Sequence, residues 1–379
     1  MKVEAQWKKA VKPSAPKPQH WRKLKFSSMD ELQTPAYVGI VFHYRDNAEN
    51  SGVDILERLH RTEESLSETL NTHACQSGRP DRLDLLDHFS KFPNEVAGNP
   101  LVVIQVNMFE CGGLAIGLRI SHKIGDMYTM AMFMNSWANM CQGNMHKIVR
   151  PSFELSSIFP PKESSFGSWP EPYIHIEKFV ISTFRFDGKA ISKLKARAAP
   201  DAPDSITDNL QPSRVEVVSA LITRALKIGL TIPTNSYGNL YTVIAARFGG
   251  FMANESELGF KEVVNMMSEM VRNSKAGYAK VVDGEKLHSM VKDSLMDFTE
   301  LVFTSEEHLI PFSSWRQFQL FKNDFGWGRL ALVGLASVKF RLVCLIDDED
   351  DEGIYAWATL KEDEMIPFKH DVEIQAFTS

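Results

Sequence analysis

The 379-residue chain lacks the features that define several large classes of protein. Its four cysteines are scattered and form neither a C-x-x-C pair nor a zinc-ligand spacing, which argues against a disulfide framework and a metal site. No uncharged apolar run approaches the ~20 residues that a membrane-spanning helix needs. The segment Met1–Lys9 contains no apolar secretory stretch. We therefore expect a cytoplasmic protein with no metal and no membrane partner.

Basic residues are also too few to suggest a nucleic-acid partner. The 42 Lys and Arg residues are outnumbered by 48 Asp and Glu residues, and the formal net charge is −6. Nucleic-acid-binding domains usually carry a basic excess, so we expect no nucleic-acid partner. Apolar sequence, by contrast, is plentiful: 44% of the residues are hydrophobic, which is enough for a large core, and the length suggests two domains.

Strand and helix patterns alternate along the chain. Runs of β-branched and aromatic residues predict strands, and apolar residues three or four positions apart predict helices. The predicted strands lie in 37–44, 101–109, 114–120, 333–346 and 354–360, and the predicted helices in 54–72, 127–140, 213–227, 261–274 and 279–300. A segment rich in Pro, Ser and Gly, 158–174, predicts a crossover between domains of residues 1–165 and 166–379.

The motif His122-Lys-Ile-Gly-Asp126 lies at the corner between the predicted strand 114–120 and the predicted helix 127–140. Side chains at such a corner often face a cleft. A histidine there can act as a general base near pH 7, because the pKa of imidazole is about 6.5. Asp126 directly precedes the helix, which suits the N-cap position. The motif is short and predicts a site only if other residues build one around it.

A second unusual motif is Asn323-Asp-Phe-Gly-Trp-Gly-Arg329. Its two glycines around a tryptophan indicate a sharply turning backbone that buries two aromatic side chains. Asp-Phe-Gly alone would suggest a protein kinase. The sequence has neither a G-x-G-x-x-G loop nor a His-Arg-Asp loop, so we reject that interpretation.

Both motifs in one chain, in this order and roughly 200 residues apart, resemble the signature of the plant BAHD acyltransferases, the HXXXD-type acyl-CoA-dependent enzymes. Ser313-Ser-Trp315 is similar to the Thr/Ser-Ser-Trp that precedes Asp-Phe-Gly-Trp-Gly in that family, and Arg214–Ala220 is similar to its helix that opens the second domain. The residues of the first motif, His-Lys-Ile-Gly-Asp, are similar to the motif of the vinorine-synthase-like branch. Members of this branch commonly acetylate alcohols of alkaloids or other specialised metabolites.

The resemblance implies an α/β fold of two chloramphenicol-acetyltransferase-like domains. Each would be a mixed sheet with helices, with a solvent channel between the domains. It also implies a monomer that binds acyl-CoA, with acetyl-CoA as the expected donor, as a co-substrate and an alcohol or amine as acceptor, with no permanently bound cofactor.

The resemblance further implies a role for individual residues. His122 would be the general base, while Gly125 and Asp126 would shape the corner, since the family's aspartate points away from the histidine and pairs with an arginine. Ser313 and the indole N–H of Trp315 would be candidate oxyanion donors. One such donor typically stabilises the transition state by ~3 kcal/mol. The second motif would have a structural role and would shape the loop near the CoA path through Asp324, Gly326, Trp327 and Gly328.

Two segments of the family pattern are missing from this chain. One gap follows Leu70, and the next recognisable strand begins at Leu101; the other follows Lys227. The second missing segment normally supplies the arginine that pairs with the Asp of Asp-Phe-Gly-Trp-Gly, so Asp324 would lack its usual partner, and an unpaired buried carboxylate is costly.

These observations leave three hypotheses. The first is an O-acyltransferase that modifies a plant specialised metabolite, with His122 as base. The second, motivated by the gaps, is a homologue or incomplete gene model with impaired or no catalysis that acts at most as a binding protein. The third, a hydrolase that pairs His122 with Ser121 or Ser136, ranks low because neither serine lies in a G-x-S-x-G elbow.

Other polar features have simpler explanations. The acidic run Asp347–Glu352 is predicted to be a solvated hairpin tip rather than a cation site. The basic residues of 184–197 could line a path for CoA phosphates or form a solvated helix face, and both alternatives stay open. Among the apolar residues of the predicted helix 127–140, four follow helical spacing and are predicted to be core residues: Met127, Met130, Met134 and Trp137.

Overall fold

The computed structural model describes most of the chain and divides it into two compact units. The described residues are 11–15, 26–33, 37–45, 55–73, 101–109, 113–149, 151, 154–162, 179–199, 211–226, 229–234, 242–246, 259–281, 283–300, 309–326, 330–335, 338 and 340–379. The first unit comprises residues 1–166 and 318–337, and the second comprises residues 167–317 and 338–379.

The first unit is built on a four-stranded sheet in the order β2-β3-β1-β8. Its strands are β1 (Tyr37–Tyr44), β2 (Val102–Met108), β3 (Leu114–Ser121) and β8 (Leu330–Leu335), and all their pairings are antiparallel. Every residue of β3 is buried, because it lies between β2 and β1 and carries the apolar run that predicted it. The helices of this unit are α1 (Ser28–Glu31), α2 (Ile55–His73), α3 (Met127–Cys141) and α4 (Leu155–Ile158).

The core of the first unit joins helices α2 and α3 to the sheet. Met130, Met134 and Trp137 of α3 are completely buried, which confirms their predicted core role. The Trp137 indole N–H donates to the carbonyl of Thr62 on α2 at 3.1 Å, so the largest buried side chain has its one polar atom satisfied.

The second unit is built on a six-stranded mixed sheet in the order β4-β10-β9-β7-β5-β6. Its strands are β4 (Phe179–Phe186), β5 (Gly229–Thr234), β6 (Thr242–Ala246), β7 (Leu309–Ser314), β9 (Leu342–Asp347) and β10 (Ile354–Lys361). Strand β7 runs parallel to both β5 and β9, and the other pairings are antiparallel. The helices are α5 (Gly188–Ala198), α6 (Arg214–Leu226), α7 (Phe260–Ala279), α8 (Gly284–Thr299), α9 (Glu362–His370) and α10 (Val372–Phe377).

One hydrophobic core joins this sheet to helices α5, α6, α7, α9 and α10. Helix α6 is its centre, since seven consecutive residues from Val217 to Thr223 are buried. The predicted capping box at its start is present: the Ser213 hydroxyl accepts from Glu216 N at 3.2 Å, and Ser213 N donates to the Glu216 carboxylate at 2.8 Å.

The structure confirms the α/β class, and its two compact units divide the chain differently from the predicted domains. The break between the units after residue 166 falls one residue from the predicted boundary. Residues 318–337, however, belong to the first unit, because β8 pairs with β1 of its sheet. Asp324–Gly326 therefore lies with the His122 motif in one unit, and not in the second domain where we predicted it.

Among the helices within the described ranges, none combines the length and apolarity needed to cross a bilayer. Cys141 and Cys344 are buried free thiols, while Cys75 and Cys111 lie outside the described residues.

Candidate active site

His122 lies in a tight turn directly after β3. The ladder of β3 ends at Ser121, which faces Tyr37 on β1, and Ile124 N donates back to the Ser121 carbonyl at 3.0 Å. The ammonium of Lys123 donates to the Glu31 carbonyl of α1 at 3.1 Å, which anchors the turn. His122 itself is partly buried. The structure thus places His122 at the strand-to-helix corner that the sequence predicted.

Asp126 caps the helix that follows the turn. Its backbone is extended, and its carboxylate accepts from Thr129 N at 2.9 Å, which satisfies one of the free N–H groups at the start of α3. The residue is only 8% exposed, and burial raises the pKa of its carboxyl to about 7 against the lowering effect of the Thr129 hydrogen bonds. The predicted N-cap is therefore present, and it explains why a carboxylate occupies this position.

Gly125 is required by close packing at the same corner. A Cβ atom on this residue would lie 2.6 Å from Cγ2 and 2.8 Å from Cβ of Thr129. Carbon atoms do not approach this closely without displacement, so a larger residue would push the first turn of α3 away from the loop that carries His122.

The strand leading to His122 also carries a buried cation that sequence reasoning missed. Arg119 is 1% exposed, lies opposite Gly39 and Val103 on the flanking strands, and burial lowers the pKa of its guanidinium to about 10. A charged residue inside an otherwise apolar strand was the available signal. It places positive charge on the strand that positions the candidate base.

The segment Asp324–Gly326 is held in place by its phenylalanine. Phe325 is 1% exposed and makes edge-to-face contacts with Trp137 and Tyr44, with ring centroids 4.9 Å and 5.9 Å away. Gly326 has φ +85°, a conformation that favours glycine, and its N–H donates to the Asp324 carboxylate at 2.7 Å. Trp327 and Gly328, predicted to shape the adjoining loop, lie outside the described residues.

The expected cost of a buried Asp324 does not arise. Asp324 is exposed, so its carboxylate keeps contact with water, and its main-chain carbonyl accepts from the Gln142 side chain. We had expected a buried aspartate deprived of its arginine. The Asp324 carboxylate accepts instead from its own backbone, at Gly326 N.

Ser313 and Trp315 form a hydrogen-bonded pair in the second unit. The Trp315 indole N–H donates to the Ser313 hydroxyl oxygen at 2.9 Å. That bond uses the single donor of the indole and leaves the proton of Ser313 available for another acceptor. A hydroxyl that accepts a hydrogen bond is also a stronger donor. Of the two predicted oxyanion donors, the geometry therefore favours Ser313, with Trp315 orienting it.

The acidic run 347–352 is only in part the solvated tip that we predicted. Residues 349–352 are exposed at the turn between β9 and β10. Asp348, however, is 3% exposed, pairs with Arg185 at 3.0 Å and accepts from Gly353 N at 2.9 Å. Asp347 contacts Arg316 and Arg214. The first two acidic residues are structural, which their position at the inner end of the hairpin explains.

The basic residues of 184–197 do not form one uniform surface. Arg185 pairs with Asp348, and Arg197 pairs with Glu373 at 2.6 Å while its guanidinium stacks over Phe260. Lys189 and Lys193 lie one turn apart on the exposed face of α5. Across the described residues, no group of three or more His, Cys, Asp or Glu side chains has an arrangement suited to a metal ion.

Comparison with known proteins identifies the family of the chain. The profile described as "Transferase family" matches residues 1–86, 84–230 and 223–375. The matched ranges overlap at 84–86 and 223–230, near the two places where we expect family segments to be missing. Acetyl-CoA-benzylalcohol acetyltransferase of Clarkia breweri is 31% identical over 447 residues, with 100% of both chains covered. Stemmadenine O-acetyltransferase of Catharanthus roseus is 28% identical, covering 95% of this chain and 94% of its own.

Solved structures show the same fold. Vinorine synthase superposes with a TM-score of 0.76 at 23% identity, covering 98% of this chain and 97% of its own. TRI101 of F. sporotrichioides, solved with coenzyme A and T-2, gives a TM-score of 0.61 at 15% identity, with 94% and 99% covered. The profile match over nearly the whole chain, the full-length acetyltransferase relative and this shared fold establish that the chain belongs to the Transferase family, the plant BAHD acyltransferases.

Proposed function

We propose that this acyltransferase moves an acetyl group from acetyl-CoA to a hydroxyl of a plant specialised metabolite. The observation that carries the proposal is the corner at His122, where a capped helix and a close-packed glycine fix the turn that carries this residue. The activities for which the relatives are named, acetyl transfer to benzyl alcohol and to stemmadenine, support an alcohol as acceptor.

In the proposed mechanism His122 acts alone as the general base. The acceptor oxygen attacks the thioester carbonyl carbon while a ring nitrogen of His122 takes the hydroxyl proton. The tetrahedral intermediate then collapses, the carbon–sulfur bond breaks, and the departing thiolate recovers that proton as CoA thiol. No enzyme nucleophile is needed because a thioester is already activated. Asp126 caps the helix and is not the partner of a catalytic dyad.

Ser313 stabilises the oxyanion in this mechanism. Its hydroxyl proton is available because the Trp315 indole N–H occupies the oxygen as acceptor, at 2.9 Å. A donor aimed at the charge that develops in the transition state typically contributes about 3 kcal/mol.

We expect the enzyme to work as a monomer in the cytoplasm. Size-exclusion chromatography would test the monomer, and a fluorescent fusion in plant cells would test the location.

An acceptor-dependent release of CoA tests the proposed function. The purified chain is incubated with acetyl-CoA and either benzyl alcohol or stemmadenine, and free CoA thiol and acetyl ester are measured by thiol titration and mass spectrometry. We expect CoA and ester to appear in equal amounts and only when an alcohol is present. CoA release that does not depend on any alcohol would indicate a thioesterase and would contradict the proposal.

The two missing segments favour one alternative, a homologue that binds acyl-CoA without turnover. Both functions predict that acetyl-CoA raises the melting temperature, because a ligand that binds the folded state stabilises it. They differ in the products. A shift in melting temperature with acetyl-, benzoyl- and coumaroyl-CoA but no ester from any of them would support the binding protein and reject the transferase.

A further inference from the structure

The main chain directly after Trp315 adopts an unusual conformation. Strand β7 ends at Ser314, and Trp315 N still donates to the Leu345 carbonyl of β9 at 2.8 Å. Gln317 and Gln319 then have φ values of 67° and 52°, in the left-handed region. Residues other than glycine pay about 1 kcal/mol or more for this conformation, so it persists only where the surroundings impose it.

Asp347, at the end of β9, holds this segment with both carboxylate oxygens. Oδ1 accepts from Nε of Arg316 at 2.5 Å, and Oδ2 accepts from the main-chain N–H of Gln317 at 2.7 Å. Arg214, the first residue of α6, approaches the same Oδ1 at 3.5 Å. The Asp347 side chain is 13% exposed, so these contacts are largely shielded from water. One carboxylate thus fixes the two residues that immediately follow Trp315.

We propose that Asp347 is a positioning residue for the Ser313–Trp315 pair. The argument rests on the proposed function, in which Ser313 binds the oxyanion. Trp315 is held on one side by Leu345 and on the other by Asp347 through Arg316 and Gln317, and its indole orients the Ser313 hydroxyl. If the carboxylate is lost, the turn relaxes and the indole moves, so that the Ser313 hydroxyl loses the orientation that the indole gives it.

The Asp347→Asn variant tests this proposal because it keeps the size of the side chain. In asparagine an NH2 group replaces one of the two carboxylate oxygens, and that group cannot accept from Arg316 Nε or from Gln317 N, which in aspartate bind different oxygens. We expect kcat for acetyl transfer to fall by about tenfold with KM for acetyl-CoA unchanged, since a misplaced donor weakens the transition state and not substrate binding. If this variant does not fold, Arg316→Gln removes one of the two contacts and should lower kcat by a smaller factor.

A double-mutant comparison separates positioning from general destabilisation. In a Ser313→Ala background the same Asp347→Asn change should alter kcat by less than about twofold, because the group it positions is absent. The matched control is Glu373→Gln, which disrupts the ion pairs of Glu373 with Arg197 and Arg224 elsewhere in the same unit. We expect it to lower the melting temperature without changing kcat.

The outcomes are distinguishable. If Asp347→Asn lowers kcat equally in both backgrounds, or only as much as Glu373→Gln does, the positioning role is wrong while the transferase function stands. If the unaltered protein transfers no acetyl group, the proposed function fails and the positioning role fails with it.

Discussion

Asp126 combines two properties that are rarely found in one helix cap. It accepts the Thr129 N–H at the start of α3, and burial raises the pKa of its carboxyl to about 7. An ordinary aspartate in the unfolded chain has a pKa near 3.8. Between these two values the folded protein binds a proton that the unfolded chain does not. This proton stabilises the folded protein. Its contribution to the free energy of unfolding is complete below about pH 4 and is lost as the pH rises through 7.

We predict that Asp126→Asn flattens part of this pH dependence. Asparagine is an equally good N-cap but does not ionise, so the variant keeps the cap. The change in the free energy of unfolding between pH 4 and 7 that comes from Asp126, on the order of 4 kcal/mol, should disappear. At pH 8 the free energy of unfolding, measured by urea denaturation, should equal or exceed that of the unaltered protein.

The same variant distinguishes a cap from a catalytic dyad. We expect kcat to stay within about threefold, whereas loss of an aspartate that orients a catalytic histidine costs several orders of magnitude. Asp126→Ala serves as the comparison, because it removes the cap and should cost about 1 kcal/mol relative to Asp126→Asn. A large fall in kcat for Asp126→Asn at unchanged stability would contradict the capping role.

Gly353 offers a second test at the scale of one residue. A Cβ there would lie 2.7 Å from the Phe186 carbonyl and would collide with the Asp348 carboxylate that pairs with Arg185. Gly353→Ala should therefore lower the free energy of unfolding by about 2 kcal/mol or more. Gly277→Ala is the matched control: a Cβ there meets nothing within 4 Å inside helix α7, so it should stabilise by up to about 1 kcal/mol. Equal effects from both alanines would contradict this account of the hairpin.

Several elements could be predicted from the sequence because each carries a strong local signal. The apolar runs of β1 and β3, the Met and Trp spacing of α3, and the Ser213–Glu216 box at α6 all appear where expected. Strands β4, β5, β6 and β7 were missed, and β8 and β9 were predicted as one strand over 333–346. Strand β7 carries Pro311 and two serines, and its strand character comes from parallel pairing with β5 and β9, which are far from it in sequence.

The same limit applies to the candidate site. His122 and Asp126 lie four residues apart, so a motif could find them and predict the cap. Asp347 lay within an acidic run whose natural interpretation was a solvated loop. Its contact with Arg316 joins residues 31 positions apart, and only the pairing of β7 with β9 brings them together. Likewise, the membership of residues 318–337 in the first unit depends on the pairing of β8 with β1.

At the scale of elements, we predict that the Asp324–Gly326 segment depends on its aromatic residue. Phe325→Ala removes a buried ring from contact with Trp137 and Tyr44 and should cost about 3–5 kcal/mol of unfolding free energy. Asp324→Ala loses one exposed hydrogen bond to Gly326 and should cost less than about 1 kcal/mol. Chemical denaturation measures the free energy of unfolding of both variants. If Asp324→Ala is the more destabilised, the segment is held by its charge and not by its ring.

At the scale of the whole molecule, each compact unit supports one of the two proposed catalytic groups. The full-length match to an acetyltransferase extends over 447 residues for a chain of 379, so the alignment contains gaps. The first unit contains the histidine corner with its cap, and the second contains the Ser313–Trp315 hydrogen bond. Both proposed catalytic groups therefore have local support within their own unit.

The central claim is that His122 is the base of an acetyl-transfer reaction, and kcat/KM of the His122→Ala variant tests it most directly. The rate of ester formation from acetyl-CoA and an alcohol is compared among the unaltered protein, His122→Ala and His146→Ala, a control on an exposed histidine of the same unit. We predict that His122→Ala lowers kcat/KM by at least about 10²-fold with an unchanged melting temperature, while His146→Ala has no effect. Transfer by His122→Ala at the rate of the unaltered protein would contradict the account.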